Sequence, residues 1–271
     1  SEVQWCQPGV KDWVRFRDGF RMDRIYSQMG YAFAKHIFGI KGSYAVDPQK
    51  GAVVMTLTTQ GDAPIHYTLD GSEPTAASPR YTGPVEIGKS ARFRATALRE
   101  GGENASYSRE FAFSKSTGRP AVLNTKPNDS YTFEGASLLV DGYHSRPVFT
   151  SGAWLGYLDE PLDVTIDMGG EQSYRSVELE TLAEKGDWIF PPSSVTVWVS
   201  DNGTDFTEVA SVTVPEAKAG DADGIGRYRM QFPETSARYL KVVAQNAAAI
   251  PAWHPGAGSK GFLFVDEIVV E

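Results

Sequence analysis

Short runs in which every second residue is apolar follow one another from residue 44 to the C-terminus. The clearest runs cover residues 53–57, 65–69, 162–168, 195–199 and 228–232. A period of two residues is that of a β-strand with one buried face. Turn signals such as Asp70-Gly71 and Ser200-Asp201-Asn202-Gly203 separate the runs, and Gly169-Gly170 ends one of them. The pattern predicts a mainly β protein.

The N-terminal 42 residues follow a different period. Trp13, Phe16 and Phe20 share one stripe at helical spacing, and a second stripe begins at Met22. We predict one helix or two short helices over residues 10–38. The domain order is then a helical tail over 1–42, a small immunoglobulin-like sandwich over 44–115 and a larger sandwich over 119–271, with Ser114–Arg119 as the linker.

Composition removes several classes of function. The chain has 271 residues and a net charge of −8, and residues 119–271 carry twice as many acidic as basic side chains. Binding of nucleic acid or of an anionic membrane surface needs basic patches, so neither partner is expected. No window reaches the roughly 20 apolar residues of a membrane span. Cys6 is the single cysteine, which excludes an intrachain disulfide and a cysteine-based zinc site.

The N-terminal segment resembles a known enzyme family. Ser1-Glu2-Val3-Gln4-Trp5, Gly30-Tyr31 and Ala34-Lys35-His36 are similar to the last helices of a glycoside hydrolase family 20 barrel. Members of that family are β-N-acetylhexosaminidases, and the catalytic Asp-Glu pair of the family lies further upstream. The resemblance implies that this chain is a non-catalytic piece of such an enzyme, and Ser1 reads as the middle of a longer protein.

The next segment carries a more specific motif. The string from Ile65 to Thr75, together with Tyr81-Thr82-Gly83-Pro84, resembles the chitobiase/β-hexosaminidase C-terminal domain. The resemblance implies an accessory immunoglobulin-like module. Asp70, Ser72 and Glu73 allow either a metal loop or ordinary turn chemistry, in which short polar side chains bond nearby backbone amides, and turn chemistry is favoured.

The last segment carries four short motifs: Asp141-Gly142, Ile166-Asp167-Met168-Gly169, Ala237-Arg238-Tyr239 and Asp266-Glu267-Ile268. With these motifs the segment resembles a discoidin domain, the coagulation factor type C fold that includes carbohydrate-binding module family 32. It implies a jelly-roll β-sandwich that binds sugar and performs no chemistry. A fold alone does not give a ligand, so the ligand has to be argued from side chains.

A sugar offers an apolar C–H face to an aromatic ring and hydroxyls that need hydrogen bonds. Aromatic residues in predicted loops, each with polar neighbours, are therefore the candidates. The candidate carbohydrate-binding residues are Trp188, Trp253, His254, Tyr143, Arg146 and Trp154. The alternative is that the tryptophans close the ends of the sandwich, and for Trp154 packing is the favoured role.

Family-32 modules often hold one structural calcium ion near the loop end. The resemblance implies Asp141 and Glu267 as its carboxylate ligands, with backbone carbonyls completing the six to eight oxygens that calcium takes. The loop from Tyr143 to Thr150 is longer and more aromatic than the usual loop of the family. Glu267 could instead be a hydrogen-bonded loop anchor, and the two alternatives stay open.

Taken together, the resemblances imply the accessory region of a secreted, periplasmic or cell-surface bacterial β-N-acetylhexosaminidase. Its discoidin-like module would bind glycans with terminal galactose or N-acetylhexosamine and target the upstream catalytic barrel. The alternative is a purely structural or dimerisation role with no sugar site. The exposure of Trp188 and Trp253 distinguishes the two, because a sugar platform has to face solvent.

Overall fold

A computed structural model describes residues 39–59, 63–98 and 104–271. The helix predicted over residues 10–38 lies outside the described residues. Within them the regular structure consists of β-strands and short 3₁₀ turns. The strands are β1 (Lys41–Asp47), β2 (Ala52–Thr58), β3 (Ile65–Thr68), β4 (Val85–Ile87), β5 (Ala91–Ala97), β6 (Ala105–Phe111), β7 (Ala121–Leu123), β8 (Leu155–Tyr157), β9 (Leu162–Ala183), β10 (Ser194–Ser200), β11 (Thr207–Thr213), β12 (Gly224–Gln245) and β13 (Leu263–Val270). The 3₁₀ turns are Asp129–Tyr131, Gly135–Leu139, Phe149–Ser151 and Lys185–Asp187.

The residues form two compact units. One includes residues 56–85 and 92–109, and the other consists of residues 44–55, 86–91 and 110–271. The predicted division into residues 44–115 and 119–271 stays a prediction.

The N-terminal strands make two three-stranded sheets, in the orders β1-β2-β4 and β3-β5-β6. Each buries alternate residues, as the pattern predicts; in β5, for example, Phe93 and Ala95 are fully buried. The motif after β3 is a turn: Ser72 donates to Asp70 Oδ1 from its backbone N–H (2.9 Å) and its hydroxyl (2.6 Å). These hydrogen bonds lower the pKa of Asp70 and favour turn chemistry over a metal loop.

The larger unit is built on two long strands, β9 and β12, of 22 residues each. Its sheet order is β11-β10-β12-β9-β13-β8, with β7 also pairing with β9. The first part of β9 pairs with the end of β12, while the second part pairs with the beginning of β12 and with β13. Each long strand therefore contributes to both layers of the sandwich.

The glycines that were expected to end a strand lie inside β9. The chain bends at Gly169, which has a φ of +79°. Glycine adopts this conformation readily because it has no Cβ. Asp167 Oδ1 accepts the Gly169 N–H at 2.9 Å. The register with β12 shifts at the same point, between Ala237 and Tyr239. The prediction that Gly169-Gly170 stops the strand was wrong because this pair turns the strand from one layer to the other.

A large hydrophobic core lies inside the sandwich. Leu162, Val164, Ile166 and Met168 of β9 are all fully buried and meet residues of β10, β12 and β13. The predicted hairpin at Ser200-Asp201-Asn202-Gly203 joins β10 to β11, which pair antiparallel. The mainly β class with sandwich architecture, predicted from the alternation, is confirmed.

The segment predicted to be a polar linker is packed against β13. Ser116 and Thr117 are buried, and the Ser116 hydroxyl donates to the Ile268 carbonyl at 2.5 Å. The Lys115 N–H donates to the Val270 carbonyl at 3.0 Å. Polar composition indicated a connection, but these side chains are polar because they satisfy the edge of a strand.

Candidate functional site

Two tryptophans on neighbouring loops remain open to solvent. Trp188 is 43% exposed and Trp253 is 40% exposed, whereas Trp154 is fully buried and Trp198 is half-buried. His254 lies between them, with its ring centroid 6.1 Å from that of Trp188 and 5.6 Å from that of Trp253. We call Trp188, Trp253 and His254 the tryptophan patch.

The backbone holds Trp188 in an unusual conformation. Its φ is +63°, and it follows the 3₁₀ turn Lys185–Asp187. Paired backbone hydrogen bonds between Glu184 and Ile189 close the loop around it, at 3.1 and 3.2 Å. The Trp188 carbonyl also accepts the Phe262 N–H at 2.8 Å. A positive φ costs a non-glycine residue about 1 kcal/mol or more, so the surrounding hydrogen bonds impose this geometry.

His254 is a loop anchor. It is buried, its Nε2 lies 2.9 Å from the Lys185 carbonyl, and its Nδ1 accepts the Gly256 N–H at 3.0 Å. This pattern fits the neutral tautomer with the proton on Nε2. Both ring nitrogens are therefore bonded to backbone groups and are not available to a sugar. In place of the predicted role as a sugar ligand, His254 holds the two tryptophan loops together.

Trp253 and the 184–188 loop are each tied to the segment between β11 and β12. The Trp253 indole N–H donates to the Ala217 carbonyl at 2.9 Å. The buried Lys185 ammonium donates to the Asp221 carbonyl at 2.8 Å and pairs with the Asp223 carboxylate. The Trp253 ring is thus fixed by a polar contact at its edge, and the loop that carries Trp188 is fixed by the contacts of Lys185, while both indoles stay partly exposed.

A groove of about 360 Å³ lies beside Trp253. Three connections form its walls: residues 190–193 before β10, residues 214–217 after β11 and residues 247–252 after β12. Its lining is mostly proline and alanine, and Glu216 is the charged residue among its lining residues.

The other predicted sugar-binding residues lie elsewhere. Trp154 is fully buried, packs with Ile189 and Phe264, and donates its indole N–H to the Arg146 carbonyl at 2.9 Å. It cannot offer a ring face to a sugar, so it has the packing role that the sequence favoured. Arg146 is exposed on that loop, and Tyr143 is half-buried with its ring 5.9 Å from the ring of Tyr44.

The predicted metal ligands belong to a buried acidic cluster. Asp141, Glu180, Asp266 and Glu267 are all buried, and Asp141 accepts hydrogen bonds from the Tyr44 hydroxyl and the Tyr143 N–H. Glu267 Oε2 accepts the Gly142 N–H at 3.2 Å, while no described residue gives its Oε1 a hydrogen bond. Burial, followed by the charge of Asp141, raises the pKa of Glu267 well above its usual value.

Asp266 shares this environment. Burial raises its pKa well above the ordinary value, against hydrogen bonds from the Ser145 N–H (2.8 Å) and hydroxyl (3.1 Å). Two adjacent carboxyl groups therefore resist ionisation. A cation that neutralised them would be favoured, because uncompensated buried charge is costly.

The calcium ligand set fits only in part. Asp141 and Glu267 supply carboxylate oxygens next to each other, and the orphaned Glu267 Oε1 suits an oxygen-seeking cation. Among the described residues, however, no three His, Cys, Asp or Glu side chains converge as a metal-binding group. Calcium would thus depend on backbone carbonyls for most of its ligands.

Glu180 was missed by sequence reasoning. Alternation with Val177 and Leu179 placed it on the outer face of its strand, yet it is fully buried. Burial opposes its ionisation, but His144 and Arg227 outweigh burial and lower its pKa. Arg227 lies opposite it on β12, with Nε 2.5 Å from Oε1, and His144 Nδ1 lies 2.9 Å from Oε2. A charged residue within a strand run was the available signal.

Lys185 and Gly256 were also missed. Lys185 fixes the Trp188 loop, and a β-carbon on Gly256 would lie 2.8 Å from Cζ2 of Trp188. The indole ring packs directly on the backbone at residue 256, so this position has room for glycine but not for a side chain. The glycines of the 256–258 stretch were the visible signal for such a close approach.

Comparison with solved structures finds sugar-binding modules. A chitosan-binding module 2 from Paenibacillus sp. IK-5, in complex with chitotriose, is 17% identical, with 58% of this chain and 98% of that chain covered and a TM-score of 0.38. A CBM32 module from Clostridium perfringens, in complex with GalNAc-β-1,3-galactose, is 16% identical over 56% of this chain and 93% of that chain, also at 0.38. A fucose-binding module from Streptococcus pneumoniae is 21% identical over 58% and 94%, at 0.37.

No curated protein matches the chain. No helix among the described residues is long and apolar enough to cross a membrane. Residues 44–109 match the family model of the chitobiase/beta-hexosaminidase C-terminal domain. The F5/8 type C domain model matches residues 124–260, which is just over half of the chain, and the chain therefore belongs to the F5/8 type C domain family.

Proposed function

We propose that this chain binds glycans through the tryptophan patch, with Trp188 and Trp253 as the platforms for sugar rings. The observation that supports this most is the solvent exposure of both indoles on loops that are tied down at their edges. A sugar C–H face stacks on such a ring, and the low flexibility of the loops reduces the ordering cost of binding.

The surrounding charges are compatible with a neutral ligand. Asp187 and Glu184 flank Trp188 on its N-terminal side, and their carboxylates can accept hydrogen bonds from hydroxyls. Desolvation and the neighbouring Asp187 raise the pKa of Glu184. A site of this size buries few ligand atoms, so a single sugar should bind weakly, in the range of about 0.1–1 mM.

The experiment is a calorimetric titration of the full chain with galactose, N-acetylgalactosamine and N-acetylglucosamine. Trp188→Ala and Trp253→Ala should each weaken binding by about tenfold or more, since each removes a stacking surface. Phe133→Ala is the matched control, because Phe133 is also an exposed aromatic residue with a positive φ. Unchanged binding in both tryptophan variants would overturn the proposal.

A structural or dimerisation role remains the competing function. It requires no free ring face and therefore predicts that no glycan binds in the titration. The exposure of both tryptophans supports the sugar-binding function instead, because residues that only close a sandwich end are buried, as Trp154 is.

We further propose a structural calcium ion held by Asp141 and Glu267. The support is the buried cluster of carboxylates and the orphaned Glu267 Oε1. Bound calcium would neutralise the cluster and fix the segment from Asp141 to Ser145 to β13. Added calcium should raise the melting temperature and a chelator should reverse the rise, whereas Asp141→Asn should remove the response. A melting temperature that does not change when calcium is added would contradict this assignment.

The wider setting is proposed on the same footing. We propose that the parent protein is a bacterial β-N-acetylhexosaminidase, secreted, periplasmic or held at the cell surface, with a catalytic barrel upstream of these domains. The match over residues 44–109 supports the hexosaminidase part of this proposal. Glycan binding by the tryptophan patch would hold that barrel near substrate and raise its effective concentration. Hexosaminidase activity in the parent protein, and loss of activity on insoluble but not soluble substrate after Trp253→Ala, would test it.

A further inference from the structure

The groove beside Trp253 is a preformed cavity that the tryptophan patch does not use. Ser193 joins its three walls: the Ser193 N–H donates to the Gln245 carbonyl at 2.8 Å, and the Ser193 carbonyl accepts the Val214 N–H at 2.9 Å. The Ser193 hydroxyl donates to the Asn246 carbonyl at 2.9 Å. The hydrogen bond from the Trp253 indole N–H to the Ala217 carbonyl holds the end of the groove next to the patch. These contacts fix the walls before any ligand arrives.

The chemistry of the lining selects what can enter. Pro191, Pro215, Pro251 and the alanines at 247–249 offer apolar walls. The Ser193 hydroxyl is already used within the protein, so Glu216 is the lining side chain that carries an ionised acceptor. An occupant therefore needs a small apolar group together with a hydrogen-bond donor, because unpaired polar groups on apolar walls lose their hydration without compensation.

We propose that the groove is a second subsite that takes an acetamido sugar attached to the ring stacked on Trp253. The methyl of the acetamido group would contact the proline and alanine walls, and its amide N–H would donate to Glu216. This inference rests on the proposed function and narrows the ligand to N-acetylhexosamine-containing oligosaccharides. The volume of about 360 Å³ is at the small end of ligand sites, in keeping with one sugar unit.

The test is calorimetry of the full chain with N-acetylglucosamine, its β-1,4 disaccharide, glucose and cellobiose. The acetamido disaccharide should bind about tenfold more tightly than the monosaccharide, from one buried methyl and one charge-assisted hydrogen bond. Cellobiose should gain no more than about twofold over glucose, since its hydroxyl has no methyl to place on the walls.

Ala248→Phe places a ring in the groove and should remove the gain of the acetamido disaccharide over the monosaccharide. Ala219→Phe is the matched control, because Ala219 is exposed on a neighbouring segment and does not line the groove. Glu216→Gln should reduce the gain by about threefold, as expected when a charged acceptor becomes neutral. Thermal melts of each variant check that the fold is intact.

The outcomes separate the two proposals. Equal affinity for mono- and disaccharide, or a gain that survives Ala248→Phe, overturns the groove subsite while the effect of Trp253→Ala still reports on the patch. Binding of no sugar at all overturns both.

Discussion

At the scale of residues, Phe133 and Trp188 are the two non-glycine residues with positive φ in the described part of the chain, and both are exposed aromatics. At Trp188 the strain accompanies a ring that lies on the Gly256 backbone. The position of the ring therefore depends on a single missing side chain, which makes Gly256 a sensitive point of the site.

Gly256→Ala should weaken glycan binding by about fivefold or more with little loss of stability. The new methyl would meet the indole at 2.8 Å and displace it, and Gly256 itself has no positive φ that would add strain. Gly186→Ala is the control, because a β-carbon there meets nothing within 4 Å on the same loop region. Titration and thermal melts of both variants measure the effect, and equal behaviour of the two would contradict it.

Glu267→Gln should raise the melting temperature in the presence of a chelator at about pH 8. Burial raises the folded-state pKa of Glu267, so its contribution to stability is greatest below the unfolded pKa of about 4.3 and is lost as pH rises. The neutral amide of the glutamine carries no buried charge and avoids that loss of stability. The melting temperature should rise by about 2–4 °C for each kcal/mol of stability recovered.

The gain from Glu267→Gln should shrink as the pH is lowered towards about 4, where the native carboxyl is protonated in both states. Glu171→Gln, on an exposed position of the same acidic unit, should shift the melting temperature little at either pH. A destabilised Glu267→Gln variant under chelation would show that the carboxylate is ionised and compensated by contacts within the protein.

At the scale of elements, the charged pair between β9 and β12 sets a pH-dependent contact. Two side chains approach the buried Glu180 of β9. They are Arg227 of β12 and His144 of the loop before β8. The pairing with Glu180 raises the pKa of His144, against an opposing effect of burial. The charged imidazole therefore stabilises the fold when it is protonated, while Arg227 retains its charge throughout.

His144→Gln should destabilise the protein more at about pH 5.5 than at about pH 8.5. A raised histidine pKa gives stability that is complete below the unfolded value of about 6.5 and is lost as pH rises through the folded value. The side chain is about one-third exposed, which screens the effect to about 1 kcal/mol or less. Chemical denaturation at the two pH values measures it, and His66→Gln serves as a control; a pH-independent loss would exclude the ion pair.

At the scale of the whole molecule, the net charge of −8 excludes anionic polymers more firmly than any single residue does. Affinity for a neutral glycan should change by less than about twofold between about 50 mM and about 500 mM salt, since screening acts on charge pairs alone. Sulfated or uronic acid polymers should bind weakly at low salt. A steep loss of affinity with salt would indicate a charged ligand and would contradict recognition by stacking.

Alternation was enough to predict β10, because side chains on a strand with one buried face repeat every two residues, and the turn signal after it predicted the hairpin. It failed at Gly169 and at Glu180 for a common reason. A strand that bends across two layers changes which face is buried, and a buried charge can be satisfied from β12, which is remote in sequence. The local alternation of apolar and polar residues shows neither the bend at Gly169 nor the partner of Glu180 on β12.

The candidate site divides in the same way. Proline and tryptophan in loops identified Trp188 and Trp253 as possible platforms, and both proved exposed. Two other candidates differ in their surroundings: Trp154 is fully buried, and both ring nitrogens of His254 are occupied by backbone groups. Residue type shows which interactions a side chain can make. Only the folded structure shows which of them are already made within the protein.

The sequence by itself determined the class of the fold, the acidic character of the larger unit and the loops that carry aromatic residues. These properties follow from composition and from periods of a few residues, which are local. The tertiary structure decided which indoles face solvent, where the groove opens and which carboxylates are buried together. Those properties depend on contacts between residues far apart in the chain, such as Trp253 with Ala217 and Gly142 with Glu267, and no local period encodes them.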